Sequence, residues 1–280
     1  MNESNSRPPI DGTTPNRVLA RGSVTLVGAG PGDPELLTLR AVRALQEADV
    51  ILIDHLVAPA ILDFARREAK KMTVGKIGYG PSCRQDEINA MMVTFAKAGK
   101  RVVRLKGGDP MIFGRAGEEI AACQAAGIPV EVVPGISAAQ GAASRLGVSL
   151  TARALARRIQ YITAHASNGR LPSDIDWKSL ADPSTTTVVY MPKRTLAELA
   201  TTAMANGLSP DTPAIAVASA TRPEEQVIPA TVATIAARVA DVAPDGPVLI
   251  VIGRALASAL QAAGSHDEAS EHPLPRQNLA

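Results

Sequence analysis

VTLVGAGPGDPELLTLRAVRALQEADVILID, residues 24–54, is a strand-like run, a glycine loop, an Ala/Leu/Arg-rich helical stretch and a second strand-like run. That order is the βαβ unit of a parallel sheet. KMTVG from 71, RVVRLKG from 101 and VEVVPG from 130 extend the alternation, so the first half is predicted to be α/β with crossover helices. After the small-residue helix expected over about 136–147 (ISAAQGAASRLG), IQYITAH, TTTVVYM, AIAVASA and VLIVIG dominate, with helices only at about 195–206 and 231–242. We therefore expect an N-terminal α/β domain over 17–140, a C-terminal α/β domain over 141–261, and disordered tails at 1–16 and 262–280, which are rich in Pro, Ser, Asn and charge. The long connection over 167–185 is of the kind that often carries function.

The glycine loop resembles a dinucleotide fingerprint, G-x-G-x-x-G, but its third glycine position is Asp33, followed by Pro34. Asp is a preferred helix N-cap and Pro a preferred first helical residue, so Asp33 is expected to satisfy the helix amides with its own carboxylate. A phosphate there would lose those donors and meet a negative charge. LKGGDPMIFG, residues 105–114, repeats the Gly-Asp-Pro core, and Asp109 and Pro110 invite the same reading. Gly28, Gly30, Gly32, Gly107 and Gly108 are expected to let the backbone approach a ligand closely. A nucleoside-like ligand that lacks phosphate and carries positive charge suits such loops, and S-adenosylmethionine is one.

With 280 residues, 46% of them hydrophobic, the chain is long enough for two domains with their own cores. Aromatics at 2% and a net charge of +2 argue against nucleic acid as a partner. Residues 55–160 carry 16 Lys and Arg against 8 Asp and Glu, and the remainder carries 13 against 19, so the middle of the chain is suited to an anionic small molecule. Cys83 and Cys123 form no C-x-x-C pair, and the four histidines (His55, His165, His266, His272) show no metal spacing, so no disulfide framework and no metal are assigned. No apolar run reaches the roughly 20 residues of a membrane span, and the polar N-terminus has no signal-peptide core, so a cytoplasmic protein without membrane contact is expected.

Six blocks taken in order resemble the tetrapyrrole (precorrin) methylase family: residues 24–57, VGK at 74–76, VRLKGGDPMIFGRAGEE at 103–119, VVPGISAAQGAASRLGVSLTAR at 132–153, YITAH at 161–165 and VVYM at 188–191. Within it, the chain is similar to the members that methylate uroporphyrinogen III. The resemblance implies two α/β domains with the active site in the trough between them, S-adenosylmethionine as methyl donor, S-adenosylhomocysteine as product and a homodimer. By carry-over the donor's contacts are Pro31, Gly107, Gly108, Asp109, Ile112, Ser137, Ala138, Met191 and Ala220, and Asp54 and Lys76 are proton acceptor and donor. The implied activity is methylation at C2 and C7 to precorrin-2, feeding cobalamin or sirohaem. With no added dehydrogenase/chelatase segment, methylation is expected to be the chain's only activity. Each of the Gly28 loop, Asp54, Lys76 and the 107–109 loop follows a strand, so all are expected on the carboxyl rim of the sheet, where such sheets bind ligands. Arg84, Arg104, Lys106, Arg115, Arg145 and Arg153 are candidates to meet the acceptor's carboxylates. The rival readings are a later precorrin methylase, a diphthine synthase type, an NAD-dependent oxidoreductase and a non-catalytic binding module.

Overall fold

A computed structural model describes residues 19–74, 83–166 and 169–259. The first half is one parallel sheet of five strands: β1 (Ser23–Gly28), β2 (Val50–Ile53), β3 (Lys70–Thr73), β4 (Arg101–Lys106) and β5 (Val130–Val133), in the order β3-β2-β4-β1-β5. The central strands β1, β2 and β4 are largely apolar and β-branched because helices cover both faces and leave them no wet side, while the edge strand β3, KKMT, is mostly exposed. Val27, Ile51, Ile53, Val103 and Leu105 pack with Ala41, Ala44 and Leu45 of α1 (Leu39–Glu47). On the other face Val24, Leu26, Leu52 and Val102 pack with Ile88 and Met92 of α2 (Gln85–Lys97) and Cys123 of α3 (Ala116–Ala125).

A fourth helix, α4 (Ala138–Leu146), leaves the first sheet directly after β5 but buries Ala139 and Ala142 against the second sheet. That sheet is mixed, in the order β6-β7-β10-β8-β9. Its strands are β6 (Arg158–Thr163), β7 (Thr185–Tyr190), β8 (Pro213–Ala218), β9 (Gln226–Thr231) and β10 (Val248–Ile252). Its opposite face carries α6 (Leu196–Ala205) and α7 (Ile235–Val242), and Trp177 of the one-turn helix α5 (Trp177–Leu180) packs against the same core.

The strand-like runs read from the sequence are all strands, with one addition. β9 contains Pro229, which signals against a strand, yet it lies at the sheet edge, where a missing amide is tolerated. Among the described residues no helix is long and apolar enough to cross a membrane.

Candidate active site

β1 and β4 are neighbours in register, Gly28 opposite Lys106, but their chains leave toward helices on opposite faces of the sheet. This is the topological switch point of an open α/β sheet, where a crevice forms outside the carboxyl ends of the strands. Both Gly-Asp-Pro loops start there. They are zipped to each other: the Ala29 amide donates to Lys106 O (2.8 Å), and Gly30 and Gly108 exchange amide bonds of 3.2 and 2.7 Å.

Three of the five loop glycines, Gly28, Gly32 and Gly107, make room for neighbouring protein atoms, while Gly30 and Gly108 have room for a Cβ beside them. A Cβ on Gly28 would stand 2.6 Å from Gly135 Cα and 2.7 Å from Gly108 O, and one on Gly135 would stand 2.3 Å from Gly108 O. Gly107 and Gly32 are pressed in the same way against Leu56 and Arg222. What faces outward is carboxylate. Asp33 caps a short 3-10 helix, Pro34–Leu36, accepting from the Glu35 amide at 2.9 Å, as expected, while α1 begins later under its own cap, Thr38. Asp109 departs from the expected helix cap, since α3 starts only at Ala116. Its carboxylate instead accepts from Met111 N (2.8 Å) and Gly135 N (3.0 Å), tying the loop after β4 to the loop after β5. Among the described residues neither Asp33 nor Asp109 is in an ion pair. The rim thus has negative charge and backbone carbonyls to offer a ligand, and amides already spent on carboxylates, which suits a cation and disfavours phosphate.

Asp54 is the first residue after β2. Its amide donates to Leu105 O at 2.9 Å, and its Oδ1 lies 2.9 Å from both the backbone N and Nδ1 of His55. Burial pushes the Asp54 carboxyl up, but the His55 hydrogen bond and the charges of Arg104, His55 and Lys106 outweigh it, so Asp54 ionises below the ordinary aspartate value. Lys76, expected nearby, lies outside the described residues.

Arg104 and Lys106 do not reach the surface. They alternate with Leu105 along β4 and are 3% and 4% exposed, against Glu119 of α3 at 0%. Glu119 Oε1 accepts from Arg104 Nε (2.9 Å), Lys106 Nζ (3.1 Å) and Gln85 Nε2 (3.2 Å). Neither cation can therefore grip an acceptor carboxylate directly. Burial and then repulsion from Arg104 hold Lys106 below the ordinary lysine value, with Glu119 opposing. The period of two along RVVRLK contained the signal, because two basic residues on a buried strand face require a buried acid. Of the other basic candidates, Arg84 pairs with Asp86, Arg115 with Glu118 and Arg145 with Glu225. Arg153 is exposed, and among the described residues its guanidinium has no ion-pair partner.

The second sheet turns the ends of β7 and β8 toward this rim. Tyr190 Oη accepts from Ala139 N at 3.4 Å, and its ring meets Phe113 of the 107–115 loop at 5.0 Å and Tyr161 at 5.8 Å. Thr221 Oγ1 accepts from Asp33 N at 3.0 Å, and Pro31 packs on Gly141 of α4. Ser137 is spent as the N-cap of α4 in a capping box with Gln140, next to Ala138. Met191 follows Tyr190 and is half exposed, and Ala220 precedes Thr221 and is buried. The loops thus gather Pro31, Gly107, Gly108, Asp109, Ser137 and Ala138 around one junction, with Ile112 in the turn after Asp109 and with Met191 and Ala220 on the facing edge. Five of the six non-glycine residues with positive φ among those described (Phe113, Arg115, Met191, Ser219, Thr221) lie in these loops. Backbone strain of that kind gathers at working sites. Sequence reasoning missed Tyr190, Thr221 and Arg222, which no local pattern marks. A cavity of about 410 Å³, lined by Asp182, Thr185, Asp211, Pro213 and Arg254 among others, lies at the opposite end of the second sheet, where β7 and β8 begin and β10 ends.

The chain has relatives in both sequence and fold. The siroheme synthases of Methylococcus capsulatus and Stutzerimonas stutzeri are 48% and 47% identical over 234 residues, 84% of this chain. The chain spans about half the length of these curated relatives, 49% and 50%. A uroporphyrin-III C-methyl transferase from Thermus thermophilus, solved with S-adenyl homocysteine, superposes with a TM-score of 0.73 at 38% identity, over 84% of this chain and 99% of that one. A cobalt precorrin-4 methyltransferase gives 0.75 at 26% identity, over 84% and 96%. The model of the Tetrapyrrole (Corrin/Porphyrin) Methylases matches residues 23–236, from the first residue of β1 into α7 and so across both sheets, and the chain belongs to that family.

Proposed function

We propose that this methylase uses S-adenosylmethionine to methylate uroporphyrinogen III at C2 and C7, giving precorrin-2 for cobalamin or sirohaem synthesis. One observation carries the reading: two loops at a switch point whose carboxylates, Asp33 and Asp109, occupy the amides a phosphate would need and leave unpaired negative charge for a cationic ligand. The names of the siroheme synthases and of the uroporphyrin-III C-methyl transferase bound to S-adenyl homocysteine support it.

S-adenosylmethionine supplies a methyl group on a sulfonium, a good leaving group. In this proposal Pro31, Gly107, Gly108, Asp109, Ile112, Ser137, Ala138, Met191 and Ala220 hold it, and the rim's carboxylates and carbonyls suit its charge. Asp54, ionised and fixed by His55, takes up the acceptor's proton or stabilises the pyrrole cation as the new carbon bond forms. Lys76 donates a proton or holds an acceptor carboxylate, and Arg153 offers a bidentate partner for another. The macrocycle's reduced pyrroles are nucleophilic, so the protein's contribution is alignment and charge. A homodimer in the cytoplasm, built of units 17–140 and 141–261 that share α4, completes the proposal.

The test is the product mass after anaerobic incubation with S-adenosylmethionine and uroporphyrinogen III. Two added methyl groups are expected. No gain, with S-adenosylhomocysteine still bound, would move the acceptor to a later corrinoid precursor.

A further inference from the structure

Arg222 leaves the β8–β9 loop of the second sheet and crosses the junction. Its Nη2 donates to Leu56 O and its Nε to Pro31 O at 3.5 Å, so one guanidinium holds the loops after β2 and β1. In the sheet order these strands are separated by β4, so the two loops that Arg222 joins do not follow adjacent strands. Among the described residues it has no ion-pair partner, and carbonyls alone hold it. Its stem lies where a side chain at position 32 would stand: a Cβ there would be 2.4 Å from Arg222 Cγ. Gly32 is not in the left-handed region, so space for Arg222, and no special backbone angle, is what requires glycine there.

The loop that presents Arg222 is itself held from several directions. Arg222 N donates to Ser219 O, and Thr221 N donates to Glu225 Oε2 at 2.5 Å. Glu225 in turn accepts from Arg145 of α4 at 3.0 Å. Ser219 and Thr221 sit at φ of 49° and 66°, a left-handed conformation that the β-branched Thr221 in particular adopts only where its surroundings enforce it. The Leu56 end matters because Leu56 belongs to the turn closed by Val57 N donating to Asp54 O at 3.1 Å. Whatever fixes Leu56 fixes the corner that carries Asp54.

We propose that Arg222 is a positioning residue for methyl transfer, clamping the Asp54 turn to the Pro31 loop from the second sheet; this rests on the methyltransferase reading above. Arg222→Ala is expected to lower kcat by about tenfold to a hundredfold, the cost of a displaced reacting group, while KM for the donor changes by less than about threefold. Arg222→Lys, with one point donor for two diverging carbonyls, is expected to recover little.

The deciding experiment adds Gly32→Ala and the double variant. Gly32→Ala alone should displace the arginine and reproduce the kcat loss. Combined with Arg222→Ala it should cost little further, because the three atoms nearest the new Cβ all belong to the side chain that variant removes. Additive losses, or a Gly32→Ala enzyme with wild-type kcat, would overturn the proposal. Hydrogen exchange of peptides covering 31–38 and 54–58, measured without ligand, separates the clamp from the functional reading. Faster exchange in both single variants is expected, and unchanged exchange refutes the clamp even if methylation is observed. Should the wild-type protein fail to methylate uroporphyrinogen III, faster exchange would uphold the clamp and leave the acceptor as the error.

Discussion

Glu119→Gln is the substitution whose cost the structure sets most tightly. Glu119 is fully buried and is the only acid within ion-pair distance of Arg104 and Lys106 among the described residues. The substitution keeps the volume and removes the charge, leaving two buried cations without an anion. Two charge-assisted bonds at about 1.5–3 kcal/mol each agree with the about 3–5 kcal/mol found for breaking buried ion pairs. We expect that loss at pH 7, read by urea denaturation, and a fall in Tm of about 6–20 °C for domains of this size. The pH dependence has a definite sign. Lys106 already ionises below the ordinary lysine value of 10.5, and without Glu119 it should fall further. Between that lowered value and 10.5 the unfolded chain binds the proton that the folded one has released, so the variant should regain stability as pH rises from 7 toward 10. Adding Lys106→Met should recover about half of the loss, since one apolar side chain replaces one stranded cation. A loss below about 1 kcal/mol at pH 7, or stability flat with pH, would refute the reasoning.

Two further outcomes follow from the rim. Gly135→Ala puts a Cβ 2.3 Å from Gly108 O and 2.9 Å from Gly28 Cα, where only backbone can yield. It should cost about 3 kcal/mol by overpacking and weaken S-adenosylhomocysteine binding in calorimetry at least tenfold, and intact binding would separate the glycine contact from the donor site. Because Asp54 ionises below the ordinary 3.8 in the free protein, the acid limb of kcat/KM in a pH–rate profile should fall under that value, and Asp54→Asn should abolish the limb together with most of the activity. An acid limb near neutrality would assign the essential base to another group.

The first sheet was legible because its strands are short runs rich in apolar and β-branched residues between helical stretches, and parallel pairing alone then delivers their following loops to one rim. The Asp33 cap was legible for a local reason: cap and capped amide are two residues apart. Asp109 has the same local pattern but takes its second partner 26 residues away, and a pattern read along the chain does not contain that strut. The glycines were all read as room for a ligand, whereas Gly28 makes room for Gly108 and Gly135, Gly32 for Arg222 and Gly107 for Leu56, and of the five only Gly30 and Gly108 leave an added Cβ no atom closer than 3.6 Å. Contacts across the two halves are the least legible, since Arg222 meets Leu56 from 166 positions away and nothing in ATRPEEQ announces it. Pro229 hid β9 for the opposite reason, a strong local signal overruled by an edge position.

Trp177, the chain's single tryptophan, packs half-buried against the core of the second sheet, and the first sheet has none. Its emission is therefore a built-in optical label for one half of the molecule, while far-ultraviolet circular dichroism sums over both. If α4 and the junction couple the halves into one cooperative unit, the two signals must trace a single denaturation curve; separate curves would measure how independently each half melts, with no dye or engineered reporter needed.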